Sequence, residues 1–263
     1  MSILQPSSDV TMRLKQAVGL WGIYILTAVL INGTLLFIAG RDLREWVYSP
    51  QSMLLSNLLV YGLLFLVMPL VLTKGWGLVR QPGFILPLLL ALAALALRTR
   101  FRPAAVVSLA MILYLHGRYD LSELGVRSYG WKGDLAAVLI IAALSLVPRF
   151  FNGLSGTISL VPALKAGLDR MLFNPASTTE VLFYFGFLAE RMSAKLGRWW
   201  TVLLIGLMYT AHEMTNPEYW YEGMVFGMVA VGVALLTLVY LWRRSVVVIW
   251  LGDGLGRFLS RLV

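Results

Sequence analysis

Cysteine is absent from this chain of 263 residues, and charged residues make up only 13% of it. The absence of cysteine excludes disulfides, thiolate nucleophiles, cysteine-ligated zinc and iron–sulfur clusters, so any catalysis must use oxygen or imidazole groups. Soluble globular domains carry about 25% charged residues, whereas 59% of this sequence is hydrophobic. The composition therefore excludes an ordinary soluble protein and predicts a membrane protein.

Basic residues outnumber acidic ones, with 22 Lys and Arg against 13 Asp and Glu, and the net charge is +9. In a soluble protein this excess would suggest nucleic-acid binding. Here the basic residues lie in short clusters between apolar runs, as topology signals do in membrane proteins. The lipid bilayer is therefore the expected partner, and nucleic acid is not.

The apolar runs predict an all-α fold, a polytopic transmembrane bundle of about eight or nine helices. Two runs, at 18–40 and 53–73, are long enough to cross about 30 Å of hydrocarbon, and the first is too long for a signal peptide. The middle of the chain has three shorter runs, which span only if flanking arginines extend outward: 84–97, 103–116 and 135–147. The topology of this middle part stays open.

Other segments complete the bundle. Residues 120–134 are polar and predict a loop, and 157–173 predict an interfacial amphipathic helix. The last third predicts four helices: 178–190, 199–212, 220–242 and 245–263. No period of 20 to 50 residues repeats, so the chain is expected to form one membrane domain.

Charge in the loops predicts the orientation. Arg191, Lys195 and Arg198 lie in one loop, and Arg243 and Arg244 lie in another, so both loops are expected on the cytoplasmic side. The loop between them carries three glutamates and no Lys or Arg, which suits the extracytoplasmic side: Glu213, Glu218 and Glu222.

Three ionisable residues within the predicted helices need an explanation, because a titratable side chain inside a bilayer costs about 2.5–3.5 kcal/mol on insertion scales. They are Glu180, His212 and Asp253. Loop charge and the helical rise of 1.5 Å per residue place all three in the outer half of the membrane. Structural alternatives stay open for each: a capping box of Ser177 with Glu180, a helix-dipole contact for His212, and pairing of Asp253 with Arg257.

Residues 180–188, Glu-Val-Leu-Phe-Tyr-Phe-Gly-Phe-Leu, resemble the first motif of the CAAX-protease and bacteriocin-processing (CPBP) family of glutamate intramembrane proteases, usually Glu-Glu-x-x-x-Arg-Gly. Residues 208–212 resemble its second motif, Phe-x-x-x-His, and 250–257 occupy the place of its third, His-x-x-x-Asn. The first glutamate, the glycine and the second-motif histidine match. Five positions depart from the motifs: Val181, Phe185, Met208, Asp253 and Arg257.

This resemblance covers about residues 150–260, and it implies a catalytic core at 151–263 preceded by N-terminal transmembrane helices at 1–150. It implies that Glu180 is the general base and acts with His212 on water. Asp253 then orients His212, and Arg257 or Tyr184 donates to the oxyanion. No cofactor is implied.

The outward position of the site, which loop charge predicts, and the resemblance together suggest a substrate and a location. The expected substrate is an exported protein with a membrane-anchored C-terminal tail, which is cut in or near that tail, as by the sortase-like members of the family. The expected location is a bacterial inner membrane, with the site toward the extracytoplasmic side.

Other functions stay open at this point. Intramembrane Glu, His and Asp also form proton relays, so a proton-coupled transporter is one alternative. Zinc held by Glu180, His212 and Asp253 is a second. The third is a noncatalytic membrane helper protein with divergent motifs.

Overall fold

A computed structural model describes residues 8–38, 43–97, 104–147, 160–172, 175–216, 220 and 223–262. Every regular element in these ranges is helical, which confirms the all-α prediction. The helices, in chain order, are α1 (Ser8–Phe37), α2 (Leu43–Val47), α3 (Pro50–Lys74), α4 (Pro82–Leu97), α5 (Ala104–Tyr119), α6 (Trp131–Leu144), α7 (Leu160–Leu172), α8 (175–196), α9 (Arg198–Glu213), α10 (Gly223–Arg243) and α11 (Val246–Leu262). Short 3₁₀ turns at Trp76–Arg80 and Leu121–Leu124 follow α3 and α5.

Within the described ranges, two helices are long and apolar enough to cross a membrane. Thr11–Phe37 in α1 has 27 residues, and Pro50–Lys74, which is α3, has 25. They overlap the first two predicted spans, 18–40 and 53–73, of which 39–40 lie outside the described residues. Ile23 and Leu26 on α1 are more than 60% exposed, and exposed apolar patches of this kind mark surfaces that contact a membrane or another protein.

The three middle helices form where the short runs predict them, with 16, 16 and 14 residues in α4, α5 and α6. At 1.5 Å per residue they are about 21–24 Å long, which is less than the hydrocarbon core. Their helical structure is confirmed, and their crossing of the bilayer stays a prediction. The loop predicted at 120–134 ends early, because α6 already begins at Trp131.

Helix α7 lies inside the segment predicted to be amphipathic, of which 157–159 and 173 are outside the described residues. One face packs on α11, where a methyl group added at Gly167 would lie 2.7 Å from the Cβ of Phe258. Leu160, Val161 and Leu164 are exposed instead. An apolar face is thus available to lipid, as the interfacial prediction requires.

The four helices of the last third form at the predicted places, with one correction. Helix α8 begins at Pro175, so Ser177 is its third residue. An N-cap residue must precede the helix. The capping-box interpretation of Ser177 and Glu180 is therefore wrong.

Basic side chains join three helices at one end of the bundle, called the basic end below. Arg13 of α1 donates to the carbonyl oxygen of Leu72 at the end of α3, at 2.6 Å. Arg191 of α8 donates to Thr73 Oγ1, at 2.7 Å. Helices α1 and α3 therefore run antiparallel, with the start of one beside the end of the other.

Glu190 of α8 links the basic end to the second predicted cytoplasmic loop. Its two carboxylate oxygens lie 2.6 Å from guanidinium nitrogens of Arg127 and Arg244. Tyr240 also donates to it, at 3.4 Å. The two loops predicted to share one side of the membrane thus meet at the same end of the bundle.

Wide π-helical turns interrupt α3 and α8 at Ser56–Val67 and Leu182–Ala189. The two stretches pack on each other, since the rings of Phe65 and Phe183 are stacked with centroids 4.8 Å apart. Gly186 lies in the second stretch, against the carbonyl group of Leu124. π-helical turns are frequent at functional sites, and both of these border the site described next.

Candidate active site

Glu180 of α8 and His212 of α9 meet between two consecutive, antiparallel helices. Glu180 Oε1 lies 3.8 Å from His212 Nε2, and the side chains are 11% and 6% exposed. This separation exceeds a hydrogen bond, and catalytic hydrogen bonds are often long before substrate binds. An acid and an imidazole are thus in contact, both largely removed from solvent.

Tyr209 holds the second oxygen of the acid. Its hydroxyl donates to Glu180 Oε2 at 3.1 Å. Tyr209 precedes His212 by three residues on α9, so both side chains lie on the helix face toward α8. Helix α9 therefore reaches both oxygens of the carboxylate, Oε2 through a hydrogen bond and Oε1 through the 3.8 Å contact with His212.

Tyr24 of α1 contacts the opposite nitrogen of the imidazole. Its hydroxyl lies 3.1 Å from His212 Nδ1 and 3.1 Å from Thr215 Oγ1. Thr215 in turn donates to the carbonyl oxygen of His212 at 2.7 Å, and Asn32 donates to the carbonyl oxygen of Thr215, also at 2.7 Å. Helix α1 therefore adds to a group of side chains whose other members lie in the last third of the chain.

Aromatic rings surround the imidazole on several sides. Five ring centroids lie 5.2–6.3 Å from that of His212. They belong to Tyr24, Tyr61, Phe65, Tyr184 and Tyr209. These rings make the surroundings of the imidazole largely apolar, which strengthens electrostatic interactions within the site.

A cavity of about 1320 Å³ lies between α1 and α3, with Glu180 and His212 in its wall. Its lining follows α1 from Gln16 to Asn32 and is mostly apolar. Lining residues such as Leu20 and Ile23 are 49% and 63% exposed, so the cavity opens to the surface between α1 and α3. A ligand can approach the acid–imidazole pair from the side of the bundle.

The depth of the site follows from α1. Tyr24 lies 11 residues after Arg13 and eight before Asn32. At 1.5 Å per residue these separations are about 16 Å and 12 Å along the helix. The site therefore lies near the middle of a membrane-length helix, slightly farther from the basic end than from the opposite one.

Asp253 and Arg257, expected to complete the site, do not line the described cavity. Asp253 is half-buried on α11 and Arg257 is exposed. The glycines beside them pack on α6, where added methyl groups at Gly252 and Gly256 would meet Ile141 and Ser145 at 2.6 Å or less. The roles predicted for Asp253 and Arg257 stay predictions.

Tyr184, the other predicted oxyanion donor, is fully buried beneath the site. Its hydroxyl accepts a hydrogen bond from Trp21 Nε1 at 3.0 Å, and its ring centroid lies 4.9 Å from that of Tyr209. It does not line the described cavity either. In the described residues it supports the site through these contacts, and its role as an oxyanion donor stays a prediction.

Metal ligation was one of the alternatives. Among the described residues, no group of three or more His, Asp or Glu side chains is placed to hold a metal ion. Zinc held by Glu180, His212 and Asp253 stays a prediction.

Sequence reasoning missed four polar partners: Tyr24, Asn32, Tyr209 and Thr215. Two of them carried a signal, because Tyr24 and Asn32 are polar residues inside an apolar run of membrane length, away from the interface where tyrosine is common. Tyr209 and Thr215 lie three residues before and after His212, which is the spacing of one helical turn.

Comparison of the chain with protein-family models, with curated proteins and with solved structures gives no match. Function is therefore inferred from the site and its motifs.

Proposed function

We propose that this protein is an intramembrane peptide hydrolase in which Glu180 and His212 activate water. The observation that carries the proposal is the contact of a buried acid with a buried imidazole, 3.8 Å apart, in the wall of a cavity that opens between α1 and α3. The resemblance of the α8 and α9 motifs to glutamate intramembrane proteases adds to it.

The chemistry needs one water molecule beside both groups. As the water oxygen attacks the carbonyl carbon of the peptide bond, the carboxylate of Glu180 accepts a water proton. The tetrahedral intermediate then collapses and the C–N bond breaks. The same proton passes through the Glu180–His212 pair to the leaving nitrogen, so the site returns to its starting protonation.

The apolar lining of the cavity favours a membrane-anchored substrate. The walls are mostly apolar along α1 and α3, and the opening faces the side of the bundle, where lipid would lie. A protein with a single apolar tail fits such an entrance. Soluble peptides would have to leave water to reach the site, which costs free energy for each polar group.

Orientation of the site follows from charge. With the basic end on the cytoplasmic side, the polar residues Glu213, Thr215 and Asn216 of the cavity wall lie toward the extracytoplasmic side. We place the protein as a multi-pass protein of a bacterial inner membrane that cuts the C-terminal tail of an exported protein.

The test compares the C-termini of exported membrane proteins in cells that produce the wild type or Glu180→Gln, by mass spectrometry. We expect a set of shortened C-termini with the wild type. The amount of these shortened C-termini should fall at least 100-fold with Glu180→Gln or His212→Ala, because general acid–base catalysis contributes about 10²–10⁴-fold to a rate. Glu123→Gln is the matched control, since this carboxylate is 63% exposed and 3.5 Å from Lys74. Identical C-termini for wild type and Glu180→Gln would refute the proposal.

A further inference from the structure

We infer that Tyr24 is a positioning residue that fixes His212 in the tautomer with the proton on Nδ1, leaving Nε2 as an acceptor toward Glu180. The inference rests on the proposed function for its purpose, but its geometry stands independently. It gives α1, which lies outside the resembling motifs, a defined part in the site.

The assignment follows from counting protons. The hydroxyl of Thr215 has one proton, which it donates to the carbonyl oxygen of His212 at 2.7 Å. In its 3.1 Å contact with Tyr24, Thr215 Oγ1 must therefore accept. The hydroxyl of Tyr24 donates its proton to Thr215 Oγ1, so the Tyr24 oxygen accepts a hydrogen bond from His212 Nδ1, at 3.1 Å.

Nδ1 of a neutral His212 thus carries the proton, and Nε2 has a lone pair. Nε2 faces Glu180 Oε1 at 3.8 Å, and a carboxylate oxygen is also an acceptor. Two acceptors at this distance suit a water molecule that donates one hydrogen to each, because two hydrogen bonds of about 2.8 Å at roughly 85° close such a gap. The lone pairs of that water then point away from both groups, as a nucleophile requires.

Three other contacts hold this arrangement. Asn32 fixes the carbonyl group of Thr215 at 2.7 Å, and Arg13 fixes the far end of α1 to α3 at 2.6 Å. The ring of Tyr24 packs edge-on against Phe65, with centroids 6.5 Å apart. Tyr24→Phe therefore removes the hydroxyl while keeping the aromatic packing.

The test is a nitrogen NMR spectrum of the full-length protein in bicelles, labelled with ¹⁵N-histidine. The chain has two histidines, and loss of signals in His116→Gln identifies those of His116. We expect His212 to be protonated on Nδ1 in the wild type. Tyr24→Phe and Thr215→Val should both give a mixture of tautomers.

Two variants serve as controls. Thr215→Ser keeps a hydroxyl at the same place and should restore the wild-type spectrum, which a general packing role of Thr215 would not predict. Tyr114→Phe removes a tyrosine hydroxyl from the surface, where its contact is with Arg118 at 3.4 Å, and should leave His212 unchanged. A wild-type His212 protonated on Nε2, or an unchanged spectrum in Tyr24→Phe, would overturn the inference.

The spectrum needs no turnover, so this inference and the proposed function fail separately. If the spectra follow the expectation and cleavage does not depend on Glu180, the tautomer assignment stands and the hydrolase proposal falls. If cleavage depends on Glu180 and His212 but Tyr24→Phe changes neither the spectrum nor the rate, the positioning role falls. With both correct, Tyr24→Phe should lower the cleavage rate about 10-fold, which corresponds to the loss of one hydrogen bond.

Discussion

Gly186 is the position at which the smallest addition should disturb the bundle most. It lies in the π-helical stretch of α8, and a Cβ atom built there would be 2.2 Å from the carbonyl oxygen of Leu124 and 3.1 Å from its carbonyl carbon. Ordinary contact begins at 3.4 Å, so the shortfall to the oxygen is 1.2 Å. Because the obstacle is backbone, rotation of a side chain cannot relieve it.

The expected size of the effect follows from two opposing terms. Overpacking costs about 1–3 kcal/mol, and the rigid obstacle puts Gly186→Ala at the upper end of that range. Replacing glycine by alanine within a helix returns about 1 kcal/mol. We therefore expect Gly186→Ala to lower the free energy of unfolding by about 2 kcal/mol.

Reversible unfolding by dodecyl sulfate in mixed micelles measures this change. The matched control is Gly232→Ala in α10, since a Cβ at Gly232 meets nothing within 4 Å. We expect that variant to be neutral or slightly stabilising. If Gly186→Ala is as stable as Gly232→Ala, α8 does not pack against the Leu124 turn as described.

Two further predictions concern single polar contacts. Tyr209→Phe removes the hydroxyl that donates to Glu180 Oε2 at 3.1 Å. It should lower the cleavage rate about 10- to 100-fold relative to Tyr114→Phe, because a hydrogen bond to a charged group contributes about 1.5–3 kcal/mol. Equal rates in the two variants would show that this bond does not position the acid. Glu190→Gln leaves Arg127 and Arg244 facing each other, but all three side chains are 21–36% exposed. The same unfolding assay should show a loss of about 1–2 kcal/mol, and no difference from Glu123→Gln would contradict the role of Glu190.

The helices and the pairing of Glu180 with His212 could be predicted from the sequence, because both depend on residues that are close together in the chain. Apolar runs of helical length specify α1, α3 and the shorter helices, whatever they pack against. Glu180 and His212 lie on helices joined by a single tight turn at Gly197, so the chain itself brings them to similar depths. The basic residues in the flanking loops then predict that these two loops lie at the same end of the bundle.

The remaining partners depend on packing over long separations. Tyr24 reaches His212 across 188 residues, and no spacing rule selects one tyrosine of an apolar helix for that contact. Asp253 illustrates a second reason. The helical rise gives the depth of a residue, but its direction around the axis depends on the glycines at 252 and 256, which seat α11 on α6.

The π-helical stretches were also beyond prediction from sequence. Residues 56–67 and 182–189 have the apolar composition of ordinary α-helix. Their wider turns accompany the packing of Phe65 on Phe183, which joins segments far apart in the chain. Local propensity carries no trace of such a contact.

The hydrogen bonds of α1 have an evolutionary consequence. Arg13, Tyr24 and Asn32 each bond to a different part of the protein, and each residue of an α-helix turns the next by about 100°. Inserting or deleting one residue between them would rotate at least one of the three away from its partner. We therefore expect this helix to tolerate many changes of apolar residue on its outer side during evolution, whereas a change in the spacing of those three positions would break at least one of the hydrogen bonds.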